Sequence, residues 1–362
     1  MRAMRQRDVG QLLIGSLPAM TIPSELRSLA REFQLGGVTL FGRNIEAPEQ
    51  VAELSHDLQG LASNAPLWVS VDQEGGRVAR LRAPFTEWPP MAVLGRSGNE
   101  ALAVRFATAL ARELRAVGVT LDFAPVLDIH TNPANTVIGD RALAESAEAV
   151  ARLGSAIVRG LQGAGVAACG KHFPGHGDTV ADSHLELPLV EHSPDRIRRV
   201  ECVPFRAAVE ADVAFIMTAH VLVPAFDETQ PATLAPSIVG GLLRDELGYG
   251  GAILSDDLEM KAIAATIPVP EAAVRAIAAG CDGVLICQGD IGVQAETLEA
   301  LMHAAEDGTI PRARMDDALA RMRRAKERFL TAVPAPAHAN ALRGVLGCDE
   351  HRRIADEMAA YL

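Results

Sequence analysis

The sequence predicts an α/β fold, a single (β/α)8, TIM-type barrel with a C-terminal helical extension. Three observations carry that expectation. Eight short runs along the chain are near-continuous in apolar or small residues, as strands buried on both faces must be. Stretches of helical periodicity separate them, and strand–helix alternation builds a parallel sheet with crossover helices. The chain has 362 residues, enough for a barrel of about 250 with long loops and a tail. An open doubly wound sheet would want a G-x-G-x-x-G turn after an early strand, and none is present.

The expected strands cover 12–15, 37–41, 67–71, 119–123, 166–170, 213–218, 252–255 and 283–287. One of the eight could be reversed or missing without loss of the architecture. Among the helices, 99–117 carries Leu102, Phe106, Leu110 and Leu114 at i+4 steps, and Gly118 stops it. A helix over 145–161 ends before Gly163. Ser193 followed by Pro194 reads as an N-cap with proline at the first helical position, opening a helix to about Ala211. Further helices are expected over 237–247, 271–279 and 294–306, each followed by a glycine. The excess length fits loops at 72–98 and 171–192 and a helical extension from 311 on. No Ser/Gly-rich linker divides the chain, so residues 1–362 are expected to form one domain. Its core spans about 10–330, and a helical tail covers 331–362.

Composition narrows the function. Hydrophobic residues make up 49% and charged residues 22%, which excludes whole-chain disorder. The net charge is 34 − 46 = −12, a poor match to nucleic acid or an anionic membrane. Aromatic residues are only 4%, too few for a surface that stacks long sugar chains, so a carbohydrate partner would be a small ligand held by hydrogen bonds. Five widely spaced cysteines do not resemble a disulfide framework and suit a reducing compartment. No apolar run reaches the length of a membrane span. The basic start and the apolar run Val9 to Leu17 mimic a secretory signal, but Asp8 and Gln11 interrupt it, and 11–17 reads as the first strand.

In such a barrel the reactive groups belong at the C-terminal ends of the strands. Polar residues cluster there. They include Asp72-Gln73-Glu74, Asp128 and His130, Asp140-Arg141, Lys171-His172, His220 and Asp256-Asp257. Segment 171–188 holds three of the ten histidines among glycines and prolines. A metal site built on His172, His176, Asp178 and His184 is one reading, but the spacing matches no zinc motif. Acid/base chemistry is the other. Asp182 and His184 stand one residue apart in a turn-prone loop, and a carboxylate beside an imidazole orients the ring and favours its charged form.

Lys171-His172-Phe173-Pro174-Gly175-His176-Gly177-Asp178-Thr179, then Asp182-Ser183-His184, resembles the signature of the β-N-acetylglucosaminidase branch of glycoside hydrolase family 3. Leu40-Phe41-Gly42-Arg43-Asn44, Asp72-Gln73-Glu74-Gly75-Gly76-Arg77-Val78-Ala79-Arg80, Asn132 with Asp140-Arg141, and Ser255-Asp256-Asp257-Leu258-Glu259-Met260 agree with that family in order. Leu143 departs from it, where an aromatic residue is expected.

The resemblance implies a retaining enzyme that releases terminal N-acetylglucosamine from 1,6-anhydro-muropeptides in bacterial cell-wall recycling. It implies Asp256 as nucleophile, and His184 as proton donor and acceptor, oriented and tuned by Asp182. Asp72, Arg80, Arg141, Lys171 and His172 would grip the sugar. Asp257 reads as a cap or supporting group, and His176 and Asp178 as shapers of the loop. An imidazole, with an ordinary pKa near 6.5, suits a group that must both give and take a proton. No metal and no cofactor are expected. The expected partner is the small-molecule substrate, with no nucleic acid and no membrane, for a cytoplasmic monomer. A glycoside phosphorylase or β-glucosidase on the same barrel is the alternative, and a non-catalytic sugar-binding protein a more distant one.

Overall fold

The computed structural model describes residues 6–62, 65–179, 182–183, 186–331 and 339–362. Eight parallel strands close into a barrel. They are β1 (Leu13–Ser16), β2 (Gly37–Leu40), β3 (Trp68–Val71), β4 (Leu121–Asp122), β5 (Ala167–Phe173), β6 (Phe215–Thr218), β7 (Ala252–Asp257) and β8 (Gly283–Leu285). Neighbours in sequence are neighbours in the barrel, and β1 closes it by pairing Leu13 with Val284 of β8 and Ile14 with Gly37 of β2. None of the eight is reversed or missing. The run that mimics a signal sequence is divided: Val9 ends a short helix, Gly10–Leu12 form a 3-10 turn, and the strand expected over 11–17 is confined to Leu13–Ser16, all of it buried.

Helices wrap the strands and bury their apolar stripes against them. Glu100–Ala116 starts where Asn99 accepts from the Leu102 N–H, and Ala147–Gly163 where Ser146 accepts from Ala149. These two pack closely, since a Cβ on Gly160 would lie 2.6 Å from that of Ala107. Trp68 of β3 and Phe215 of β6 meet edge to face across the barrel at 5.2 Å, and Phe329 of helix Arg312–Phe329 closes on Trp68 from below.

Several boundaries differ from expectation. The helix expected to run to Ala211 is two pieces, Pro194–Arg199 and Cys202–Glu210, because Val200 leaves helical geometry at φ −123°, ψ −74°. Strand β5 extends three residues past Gly170, carrying Lys171 and His172 into the sheet. The loop at 72–98 contains a small antiparallel hairpin, Gln73–Gly75 with Val78–Ala79, and a helix, Met91–Ser97. Ser237–Glu246 is wound as a π-helix.

The tail contributes helix Asp349–Ala359. Buried Glu113 ties it to the barrel, accepting from the Gly347 N–H, from His351 Nδ1 and from both the backbone and hydroxyl of Thr86. Among the described residues no helix is long and apolar enough to cross a membrane.

Candidate active site

Residues at the ends of β2 to β8 and in several of the loops that follow line a cavity of about 460 Å³ at the C-terminal mouth of the barrel. Seven residues singled out from the sequence line it: Asp72, Arg80, Arg141, Lys171, His172, Asp182 and Asp256. The eighth, His184, lies outside the described residues.

One wall is a lattice of alternating charge. Lys171 Nζ donates to Asp72 Oδ1 and Glu74 Oε1, both at 2.7 Å. Arg141 grips Glu74 with two parallel bonds of 2.8 Å, and Arg80 Nη2 reaches Asp72 Oδ2 at 3.2 Å. Burial by itself would raise both carboxyls. Lys171, helped by Arg80 at Asp72 and by Arg141 at Glu74, more than offsets it, holding Asp72 far below the carboxylate range and Glu74 at about 2. Burial likewise opposes the charge on Lys171, yet Asp72 and Glu74 keep its amine well above its ordinary value. The wall is therefore fully ionised, and its donors and acceptors are fixed before a ligand arrives.

Local geometry explains the Asp72–Arg80 motif. Gln73 Oε1 accepts from the Arg80 and Leu81 N–H groups while its amide donates to the Leu81 carbonyl, which folds the hairpin back on itself. The turn needs Gly75 at φ 101° and Gly76 at φ 56°, and a Cβ on Gly76 would strike Pro90 at 2.8 Å.

The second wall comes from β5 and its loop. Buried Asp128 accepts from His172 Nδ1 (2.7 Å) and from the backbone N–H of His172 and His176. Burial would raise this carboxyl, but His172 turns the balance and lowers it. His176 lies between Thr179 Oγ1 (2.7 Å) and Ser183 Oγ (3.1 Å), and burial pushes its imidazole down. Ser183 is held from the other side too, its carbonyl accepting from the Ala262 N–H at 3.2 Å. Asp178 accepts from Thr131 and from His192 Nε2, away from the cavity. His176 and Asp178 thus shape the loop that presents Asp182 to the cavity.

Across from these walls stand Asp256 and Asp257 at the end of β7. Asp256 Oδ1 accepts from the Asp257 N–H at 2.8 Å. Asp257 Oδ1 accepts from the Glu259 and Cys287 N–H groups, and burial, with Glu259 and Asp256 nearby, pushes its carboxyl up to about 7. The cavity therefore combines the Asp256 carboxyl, one of whose oxygens is fixed by the Asp257 N–H, with a polar clamp of fixed charges, an arrangement of donors and acceptors that can hold a small polyhydroxylated ligand.

The family model for the glycosyl hydrolase family 3 N terminal domain matches residues 4–325. The chain belongs to glycosyl hydrolase family 3. It is a glycoside hydrolase. A beta-hexosaminidase of Thiobacillus denitrificans is 46% identical over 259 residues, covering 70% of this chain and 71% of that one. One from Alkalilimnicola ehrlichii is 43% identical over 285 residues, or 77% and 81% of the two chains. Among solved structures, the family 3 β-N-acetylglucosaminidase of Paenibacillus sp. str. FPU-7 superposes with TM-score 0.94 at 42% identity, over 100% of this chain and 69% of that one. NagZ of Neisseria gonorrhoeae, in complex with N-trifluoroacetyl-D-glucosamine, superposes with TM-score 0.79 at 32% identity over 99% of both chains.

Within this family 3 barrel, three supporting residues have roles that only the fold discloses. Glu74 shares the Asp72 motif two positions on, a spacing that puts alternate side chains of an extended segment on one face. Asp128 was visible only as a polar residue at a strand end. Ser183 stands between Asp182 and His184, and only the folded loop brings it to His176. Leu143 is buried, and the void beside it is only about 10 Å³, so its departure from the family pattern stays a matter of packing behind Glu74.

Proposed function

We propose that the protein is a retaining exo-β-N-acetylglucosaminidase that removes terminal N-acetylglucosamine from N-acetylglucosaminyl-1,6-anhydro-muropeptides. The observation that carries the proposal is the single cavity in which the ionised Asp72–Lys171–Glu74–Arg141 lattice faces Asp256, with Asp182 also on its lining. The names of the relatives favour an N-acetylhexosaminide as substrate, and the ligand of the Neisseria structure is an N-acylated glucosamine. A cavity of this size suits one terminal sugar, hence exo action. The proposed place of work is a reducing cytoplasm, a reading that the five free thiols support.

In the proposed mechanism Asp72, Arg80, Arg141, Lys171 and His172 bind the sugar, the carboxylate accepting from adjacent hydroxyls and the cations donating. Asp256 attacks the anomeric carbon, the bond to the leaving oxygen breaks, and His184 gives that oxygen its proton. A covalent glycosyl ester on Asp256 results. His184, now neutral, takes a proton from water, the water attacks the same carbon from the other face, and Asp256 departs as carboxylate. Asp182 orients the imidazole in both steps. No step calls for a metal or cofactor.

The test is a 5-fluoro-N-acetylglucosaminyl fluoride. It should inactivate the enzyme and leave its label on Asp256 in the mapped peptides. Label on another residue, or an oxazoline product with no label, would overturn the mechanism.

A further inference from the structure

His220, in the loop after β6, is fully buried and has no part in the mechanism above. Its Nε2 donates to the carbonyl of Asp257 at 2.9 Å. The acceptor is a carbonyl oxygen, so this nitrogen carries the hydrogen. Its Nδ1 lies 2.8 Å from Thr233 Oγ1, and that hydroxyl is itself fixed by Thr218 Oγ1 and the Ala219 carbonyl. The ring is thereby locked between the end of β6, the 3-10 turn Ala232–Leu234 and the end of β7.

The residue it holds is pinned at nearly every polar atom. The Asp257 carbonyl also accepts from the Met260 N–H at 3.1 Å, its Oδ1 accepts two more backbone bonds, and its own N–H goes to Asp256 Oδ1. A carboxylate that must present one oxygen to an anomeric carbon needs its other oxygen fixed. The Asp257 N–H is the donor that fixes it, and the direction of that donor depends on where the Asp257 backbone is held.

We propose that His220 is a positioning residue for Asp256, acting through the main chain of Asp257, whose carbonyl it holds and whose N–H aims the Asp256 carboxylate. The proposal rests on Asp256 being the nucleophile. Its physical content is separate from sugar binding, because Asp72, Lys171 and Arg141 lie on the opposite wall. The Met260 bond keeps the turn formed without His220, so what is lost is aim, not fold. Misplacing a reacting group by about 1 Å can cost about 100-fold in rate.

The experiment compares His220→Gln, His220→Asn and His220→Met in the full chain. The glutamine amide nitrogen overlies the imidazole Nε2 and can donate to the Asp257 carbonyl. The asparagine amide reaches only the Nδ1 position, and methionine has the length without the donor. Glutamine is expected to keep kcat and the rate of labelling by the fluorosugar within a few-fold of wild type. Asparagine and methionine should lose about 10- to 100-fold in both, with KM little changed and thermal melting recording the folded state. If methionine fails to fold, glutamine against asparagine carries the same comparison. Equal labelling rates in all three variants, with the label on Asp256, would overturn the role of His220 alone. Label off Asp256 in the wild type would overturn the nucleophile assignment and this inference with it.

Discussion

Lys171 Nζ lies 2.7 Å from Glu74 Oε1, and both side chains are 98% buried. Each also has a second partner of opposite charge: Asp72 for the lysine, Arg141 for the glutamate. Buried ions survive only when paired and hydrogen-bonded, and this four-membered lattice satisfies that condition with no contribution from a ligand. Glu74 is the residue that joins the two cations, so it organises this wall of the cavity without being its most accessible member.

Glu74→Gln is therefore expected to damage both stability and binding. Removing one partner of a buried ion pair typically costs about 3–5 kcal/mol, because the remaining charge is left uncompensated. The urea midpoint should fall and KM for a chromogenic N-acetylglucosaminide should rise at least 10-fold. Acid adds a second reading. The Glu74 carboxyl is lower in the folded protein, at about 2, than its ordinary 4.5. Its contribution is thus fully present above pH 4.5 and is lost as pH falls through about 2. The wild type should lose stability more steeply than Glu74→Gln across that window. Parallel slopes would contradict the assignment.

Asp257 behaves in the opposite sense. Its folded-state value near 7 lies above the ordinary 3.8. Between those two values the folded protein holds more protons at this site than the unfolded chain, so stability falls as pH rises across the window. Asp257→Asn keeps an acceptor oxygen for the Glu259 and Cys287 N–H groups and removes the titration. Its melting temperature relative to wild type should therefore climb from pH 4.5 to pH 8. A difference independent of pH would show that Asp257 does not titrate there.

Most of this architecture is legible in the sequence because its signals are local. A buried strand must be apolar throughout, and Asn99, Ser146 and Ser193 cap their helices as their side chains dictate. The clustering of Asp72, Lys171 and Asp256 follows once eight strands close, since every strand end then opens on one mouth. What the sequence hides is pairing between distant segments. Nothing near Glu74 announces Arg141, 67 residues on, and nothing near Glu113 announces His351. The helix break at Val200, by contrast, has a local cause: Pro204, four residues on, has no N–H to give the Val200 carbonyl and its ring crowds that oxygen, so the second piece restarts at Cys202.

Chelation should leave activity unchanged. The nearest metal-ligating side chains are already committed, with Asp128 bound to His172 and His176, and both nitrogens of His176 facing hydroxyls. Among the described residues no three His, Cys, Asp or Glu side chains form a group fit to hold an ion. Dialysis against EDTA followed by assay checks this. Activity lost in the chelator and restored by zinc would show that a metal is required.

The division of labour between Asp256 and His184 can be read from the leaving group. Asp256→Ala removes the attacking carboxylate, so turnover should vanish for every glycoside, whatever its aglycone. His184→Ala removes only the proton. A dinitrophenyl aglycone departs without one, so the first step should proceed at near wild-type rate while the later attack by water slows and the glycosyl-enzyme accumulates as a burst. An alkyl or sugar aglycone needs the proton, and loss of general acid help there is expected to cost about 10²–10⁴-fold. Asp182→Asn should show the same pattern, attenuated, because the imidazole remains but is less well oriented and its charge less well offset. The dependence of log kcat/KM on leaving-group pKa should thus be shallow in the wild type, steep in His184→Ala and intermediate in Asp182→Asn. A shallow line in all three would remove His184 from the proton transfer.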